Sequence, residues 1–176
     1  MKIGLGQAEG SDTALVTDTI ISTCREQIGA DQPKAGLVFA GPHFDHVVML
    51  EKICSAFPGM VLVGCTTSGD YTSAYGFSDD SISLIVICAS ELEFGAGLGR
   101  NLSLDYRCAV EVAYSMARGT LQDDPSLCLA FPRSRCYARA ASRLSQYKAG
   151  SGMSGFRRSR REAPDRQHGD LPVLQP

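Results

Sequence analysis

The chain alternates between short apolar runs and longer amphipathic stretches. Lys2 to Gly6 is an apolar strand candidate ending in glycine. Ser11 or Asp12 can cap a helix behind it, because a short oxygen-bearing side chain accepts from the free amides of a first turn. Val16, Ile20, Cys24 and Ile28 then recur at helical spacing, with Ile21 beside them. Gly29 stops this helix. Leu37-Val38-Phe39-Ala40 is a continuous apolar run, as in a strand covered on both faces. Pro42 breaks it. Asp45 is placed as the next N-cap, and Val47, Leu50, Ile53, Cys54 and Phe57 line one face of the helix after it. Pro58-Gly59 ends that helix, and Met60 to Val63 is again a buried-type strand.

Strand, helix, strand, helix, strand with short links predicts parallel pairing through right-handed crossovers. Past Val63 the pattern changes. Residues 66–80 form a long loop rich in Ser, Thr, Tyr, Gly and Asp. Ser81 to Ser90 is a long strand, and Leu92 to Leu98 is expected to return beside it as an antiparallel hairpin. Asp105 caps a third helix with Ala109, Val112, Ala113 and Met116 expected inward, stopping at Gly119. Leu127 to Phe131 reads as a further buried strand. The expected fold is α/β with a mixed sheet: a parallel βαβαβ start, then an antiparallel hairpin, a helix and a strand.

Charge divides the chain. Through Phe131 there are 7 Lys and Arg against 16 Asp and Glu, and from Pro132 on there are 10 against 3. The second part has no sustained period of either kind. Residues 1–131 are expected to form a partial α/β domain, and 132–176 a basic tail without regular order. That tail has three readings: a nucleic-acid arm, a solvated appendage, or translation in the wrong frame. No apolar run reaches membrane-spanning length, and the N-terminus lacks the apolar core of a signal peptide. The seven cysteines are scattered without a C-x-x-C pair. Reduced, buried thiols in a cytoplasm, rather than disulfides or a zinc site, are the expectation.

The polar strand ends within Gly36–Ala89 hold the candidate chemistry. His43 and His46 flank Asp45 after one strand, and Cys65-Thr66-Thr67-Ser68-Gly69-Asp70 follows the next. Two histidines at this spacing are weak evidence for a metal, since further ligands must come from elsewhere. Cys65 can be read as a nucleophile with His43 or His46 as base, or as a small residue at a strand end. The hydroxyls and amides of Thr66 to Gly69 suit a carboxylate or phosphate, and Asp70 suits an ammonium. Together they suit a small zwitterion, with Tyr71 and Tyr75 of the long loop nearby; a self-satisfied turn is the alternative. The Gly95-x-Gly97-x-Gly99 run lacks the dinucleotide-binding spacing and reads as small residues in a twisted strand or bulge.

Several of these pieces together resemble the N-terminal part of the FIST domain, a sensory domain of signal-transduction proteins. They are the strand before Pro42-His43-Phe44-Asp45-His46, the strand ending Gly64-Cys65-Thr66-Thr67-Ser68-Gly69-Asp70, and Tyr75-Gly76-Phe77-Ser78-Asp79-Asp80-Ser81 leading into a long strand. The resemblance runs in pattern over roughly residues 2–131, sharpest at 36–89. It implies a non-enzymatic input domain that senses a small ligand, which agrees with the reading of the residues as a site for a zwitterion such as an amino acid; the expected ligand-binding residues are His43, His46, Cys65, Thr66, Thr67, Ser68, Gly69, Asp70 and Tyr75. It implies a signalling partner or a C-terminal FIST domain as recipient of the signal, without membrane or nucleic acid. Some FIST-like proteins carry haem, which makes His43 or His46 an axial-ligand candidate, though no haem attachment motif is present. A cysteine enzyme using Cys65 and His43 is the competing class.

The family pattern also bears on the tail. Members continue past the last strand into a helix, a Gly-Gly turn and a Thr-Tyr-Gln-Phe-like strand, which this tail does not show. Met153 to Gln175 can be back-translated so that the frame one nucleotide later contains Gly-Gly-Ala-Ala-Gly and Thr-Tyr-Gln-Phe-Phe in that order. A frameshift near residues 131–136 and a truncated domain are the expectation.

Overall fold

The computed structural model describes residues 1–131, so the basic tail lies outside the described residues. Three aspartates start its three helices. Asp12 accepts from the Ala14 and Leu15 amides, Asp45 from Val47 and Val48, and Asp105 from Arg107 and Cys108. These satisfy amides that the first helical turn leaves without an internal partner. The helices are α1 (Thr13–Ile28), α2 (His46–Ala56) and α3 (Tyr106–Arg118). The strands are β1 (Lys2–Glu9), β2 (Ala35–Ala40), β3 (Val61–Thr66), β4 (Asp70–Thr72), β5 (Gly76–Ser78) and β6 (Ser81–Cys88).

Four strands form one sheet in the order β1-β6-β2-β3, and β4 and β5 form a separate antiparallel ribbon. β2 and β3 pair in parallel, while β6 is antiparallel to both β1 and β2. β1, β2 and β3 therefore run the same way, as the alternating pattern predicts. What differs is the neighbour: β6 inserts between β1 and β2. Its own residues explain this. Ile82, Leu84 and Val86 point to one face and Ile85 and Ile87 to the other, so both faces of the strand are apolar and an interior position suits it.

That insertion removes the predicted partner strand. With both edges of β6 taken, Leu92–Leu98 finds no free edge and is not a strand. It runs instead along α3. A Cβ on Gly95, Gly97 or Gly99 would strike the backbone carbonyl of Ala117, Ala113 or Ala109 respectively. Glycine at every second residue of an extended segment thus matches alanine at every fourth residue of a helix. α3 consequently turns its small residues to this segment, and the expected inward placement of Val112 and Met116 fails: they are 45% and 52% exposed. Leu127–Phe131 is also irregular, although the Phe131 ring meets Phe39 edge-on with centroids 5.6 Å apart.

One sheet face carries the core. Ile82, Leu84, Val86, Val38 and Ala40 meet Val16, Ile20, Ile21, Cys24 and Ile28 of α1 and Met49 and Ile53 of α2. Gly4 and Gly6 let α1 lie close, since a Cβ on Gly6 would touch the Ile20 carbonyl at 2.6 Å. α2 enters on Met49, Ile53 and the following Phe57; Val47, Leu50 and Cys54, expected inward, are exposed. The opposite face carries Ile3, Leu5, Ile85, Ile87, Leu37, Val61 and Val63. Ile3 is exposed and the other six are only half-buried.

Candidate functional site

Because β1, β2 and β3 share one direction, their carboxyl ends and the start of β6 meet at one end of the sheet. Ala40 pairs with Thr66 on one side and Ile82 on the other. The turns that leave these strands are tied together there. The Thr67 amide donates to the Ala40 carbonyl at 3.0 Å, and the Gly41 amide to the Ser81 carbonyl at 3.3 Å. The end of a parallel pair is where α/β sheets commonly hold ligands.

The structure separates the predicted residues into three groups. His46 is structural: its Nε2 lies 3.1 Å from the Gly41 carbonyl and holds the first turn of α2 against the preceding loop. His43 is exposed, stacked on Phe44 at 4.1 Å between ring centroids, with its Nδ1 3.7 Å from the Asp80 carboxylate. Of the two haem-ligand candidates, His46 has its Nε2 engaged by the Gly41 carbonyl, whereas His43 has its Nδ1 beside a carboxylate. Among the described residues no group of three or more His, Cys, Asp and Glu is placed to hold a metal ion.

The Thr66–Gly69 turn is the second group. Thr67 Oγ1 donates to the Gly69 carbonyl at 2.6 Å and accepts from the Gly69 amide at 3.0 Å. With the Thr67 amide bonded to Ala40, two of the amides proposed for an anion are already engaged. Thr66 and Ser68 are exposed at the same turn. Tyr75 caps the tip of the ribbon, its amide donating to Thr72 Oγ1 at 3.2 Å.

The third group surrounds Asp70. In the register of the sheet, Gln7, Ser83, Phe39 and Cys65 form one row across β1, β6, β2 and β3. The ribbon lies over the polar end of that face. Asp70 of β4 accepts from Ser83 Oγ at 3.0 Å and Ser81 Oγ at 3.4 Å. Thr72 Oγ1 donates to Gln7 Oε1 at 2.5 Å, and Gln7 Nε2 donates to Ser81 Oγ at 3.3 Å. Loss of water at the strand end, then the Asp70 carboxylate, raises the Cys65 thiol above its ordinary range. This favours the thiol over the thiolate, the opposite of what an activated nucleophile needs. The contacts of His43 are Phe44 and Asp80, on the β6 side of the loop, so the proposed Cys65–His43 pair has no hydrogen bond between its members.

Gln7, Ser78, Ser81 and Ser83 were not among the residues expected at the site. Ser81 and Ser83 carry a signal in hindsight: they are hydroxyls at alternate positions of an otherwise apolar strand. Gln7 carries none, because only the β1–β6 pairing brings it there.

The fold and its site define an α/β domain whose polar cluster sits at the end of a mixed sheet. A family model described as FIST N domain matches residues 34–151, more than half the chain, and the chain belongs to that family. The match begins just before β2, yet β1 and α1 are built into the same sheet and core. No curated protein matches the chain.

Proposed function

We propose that this domain is the small-ligand input of a cytoplasmic signal-transduction protein, and that its ligand is of the amino-acid class. The observation that carries the reading is Asp70, a carboxylate 9% exposed at the convergence of the β2, β3 and β6 loops. A buried carboxylate at such an edge suits an ammonium group. Thr66 and Ser68, exposed on the adjoining turn, would supply hydroxyls for the other end of a zwitterion, and the proposed site also includes His43 and Tyr75. The six described cysteines are free thiols, which supports a reducing compartment, but only Cys24 and Cys88 are buried as expected, while Cys54, Cys65, Cys108 and Cys128 are exposed. Signal passes to a partner or to a following FIST domain. A thermal-shift screen of the common amino acids tests this: a ligand should raise Tm by several degrees at saturation. A flat response from a cooperatively folded chain would sink the reading.

The same reading holds the chain to be a truncated domain. We put the change of frame near residues 148–153 rather than 131–136. The family match runs to residue 151, and the shifted frame begins to look like the family at Met153. Sequencing the coding DNA through and beyond this region is the test; a second frame that closes at once defeats it.

A further inference from the structure

The cluster under the ribbon has an unbalanced set of polar atoms. Asp70 and Ser78 are directly opposite each other across the β4–β5 ribbon, so both side chains leave the same ribbon face, the one docked on β6. Ser78 is 6% exposed, and its Oγ has no hydrogen-bond partner among the described residues. Ser81 and Ser83 are each 2% exposed. Their hydroxyls donate to the Asp70 carboxylate, so each oxygen keeps acceptor capacity, part of which Ser81 uses to accept from Gln7. Gln7 is committed at both ends, to Thr72 and to Ser81. No Lys, Arg or His nitrogen lies within 4.0 Å of Asp70 among the described residues.

A carboxylate removed from water is stable when a positive charge or a full set of donors faces it. Two neutral hydroxyls supply neither. We infer that Asp70, Ser78, Ser81 and Ser83 form a binding site for a compact singly charged cation. The donor set is all oxygen and carries one negative charge. It therefore neutralises a monovalent ion and leaves a divalent one with excess charge, unlike calcium sites, which gather several carboxylates. A primary ammonium group has the same charge and directs its three N–H bonds at such oxygens. The source is either a free alkali ion or the ammonium end of a small ligand. Only the second rests on the amino-acid reading above.

The test is thermal unfolding of the full chain at constant ionic strength, which holds charge screening fixed. N-methylglucamine chloride is replaced stepwise by sodium, potassium, methylammonium or tetramethylammonium chloride. The expected result is a saturable rise in Tm with a small cation and none with tetramethylammonium. A rise with sodium or potassium alone identifies a free ion, and a rise with methylammonium alone identifies an ammonium head. Asp70→Asn should abolish the response. Ser78→Ala separates binding from folding: it removes an unpartnered buried hydroxyl, so Tm in the reference salt stays level or rises, while the cation response weakens about tenfold. Identical Tm values in all four salts overturn the inference. So does an Asp70→Asn chain that is more stable and equally indifferent to cations, which would mean a protonated carboxyl. An amino acid that stabilises wild type and Asp70→Asn alike would overturn this site and leave the sensory function standing.

Discussion

Gly97 and Ala113 meet backbone to backbone: a Cβ on Gly97 would strike the Ala113 carbonyl. Gly95 and Gly99 meet Ala117 and Ala109 in the same way, so residues 95–99 are strapped along α3 at a distance that no side chain permits. Gly97→Ala must push the strap from the helix or bend it. We expect a loss of about 1–3 kcal/mol, the usual range for overpacking, read as a lower urea midpoint. Ala113→Ser on the helix side should be tolerated better, because the contact is made by the Ala113 backbone and not by its methyl. Equal stability of Gly97→Ala and wild type would show that the strap does not hold α3.

Cys24 makes stability fall in alkali. Its side chain is fully buried between α1 and β6, where its Sγ donates to the Leu84 carbonyl at 3.5 Å. Burial pushes the thiol up to about 12 from an ordinary 9.0. An unfolded chain releases this proton from about pH 9 upward, whereas the folded chain keeps it. Unfolding therefore gains a proton-release term as pH rises, and stability drops by about 1.4 kcal/mol per pH unit at most within the window between about pH 9 and 12. Cys24→Ala should start less stable and show a shallower alkaline decline in urea titrations at pH 8, 9 and 10. Parallel declines would assign the alkaline loss to another group.

Cys65 should react slowly with iodoacetamide at neutral pH despite its exposure, since lost hydration and the Asp70 carboxylate both favour the thiol. Asp70→Asn removes the second cause, so the midpoint of its pH–rate profile should move down and labelling at fixed pH should speed up. Site-resolved mass spectrometry separates Cys65 from the other thiols. Rapid, selective labelling of Cys65 in the wild type would revive the cysteine-enzyme reading.

Local chemistry wrote much of this fold into the sequence. Asp12, Asp45 and Asp105 each act within three residues of themselves, so their caps are readable without any partner. The runs Leu37–Ala40 and Met60–Val63 announce β2 and β3 because continuous apolar residues need cover on both faces. The same alternation fixed that β1, β2 and β3 point one way and deliver His43, Cys65 and Asp70 to one end of the sheet.

Tertiary structure decided which strands are neighbours and what the polar residues do. The apolar faces of β6 suit an interior place, but its insertion between β1 and β2 in particular depends on pairing free energies summed along whole strands. It removed the predicted strand at Leu92–Leu98 and turned the Gly95–Gly99 run into a strap. It also set Gln7 beside residues more than sixty positions away, linking Thr72 to Ser81. Sequence named Asp70 as a charge that wants a partner. Only the docking of the ribbon on β6 showed the carboxylate held by Ser81 and Ser83 with Ser78 opposite, because burial and hydrogen-bond direction are properties of packed surfaces, not of residues in order.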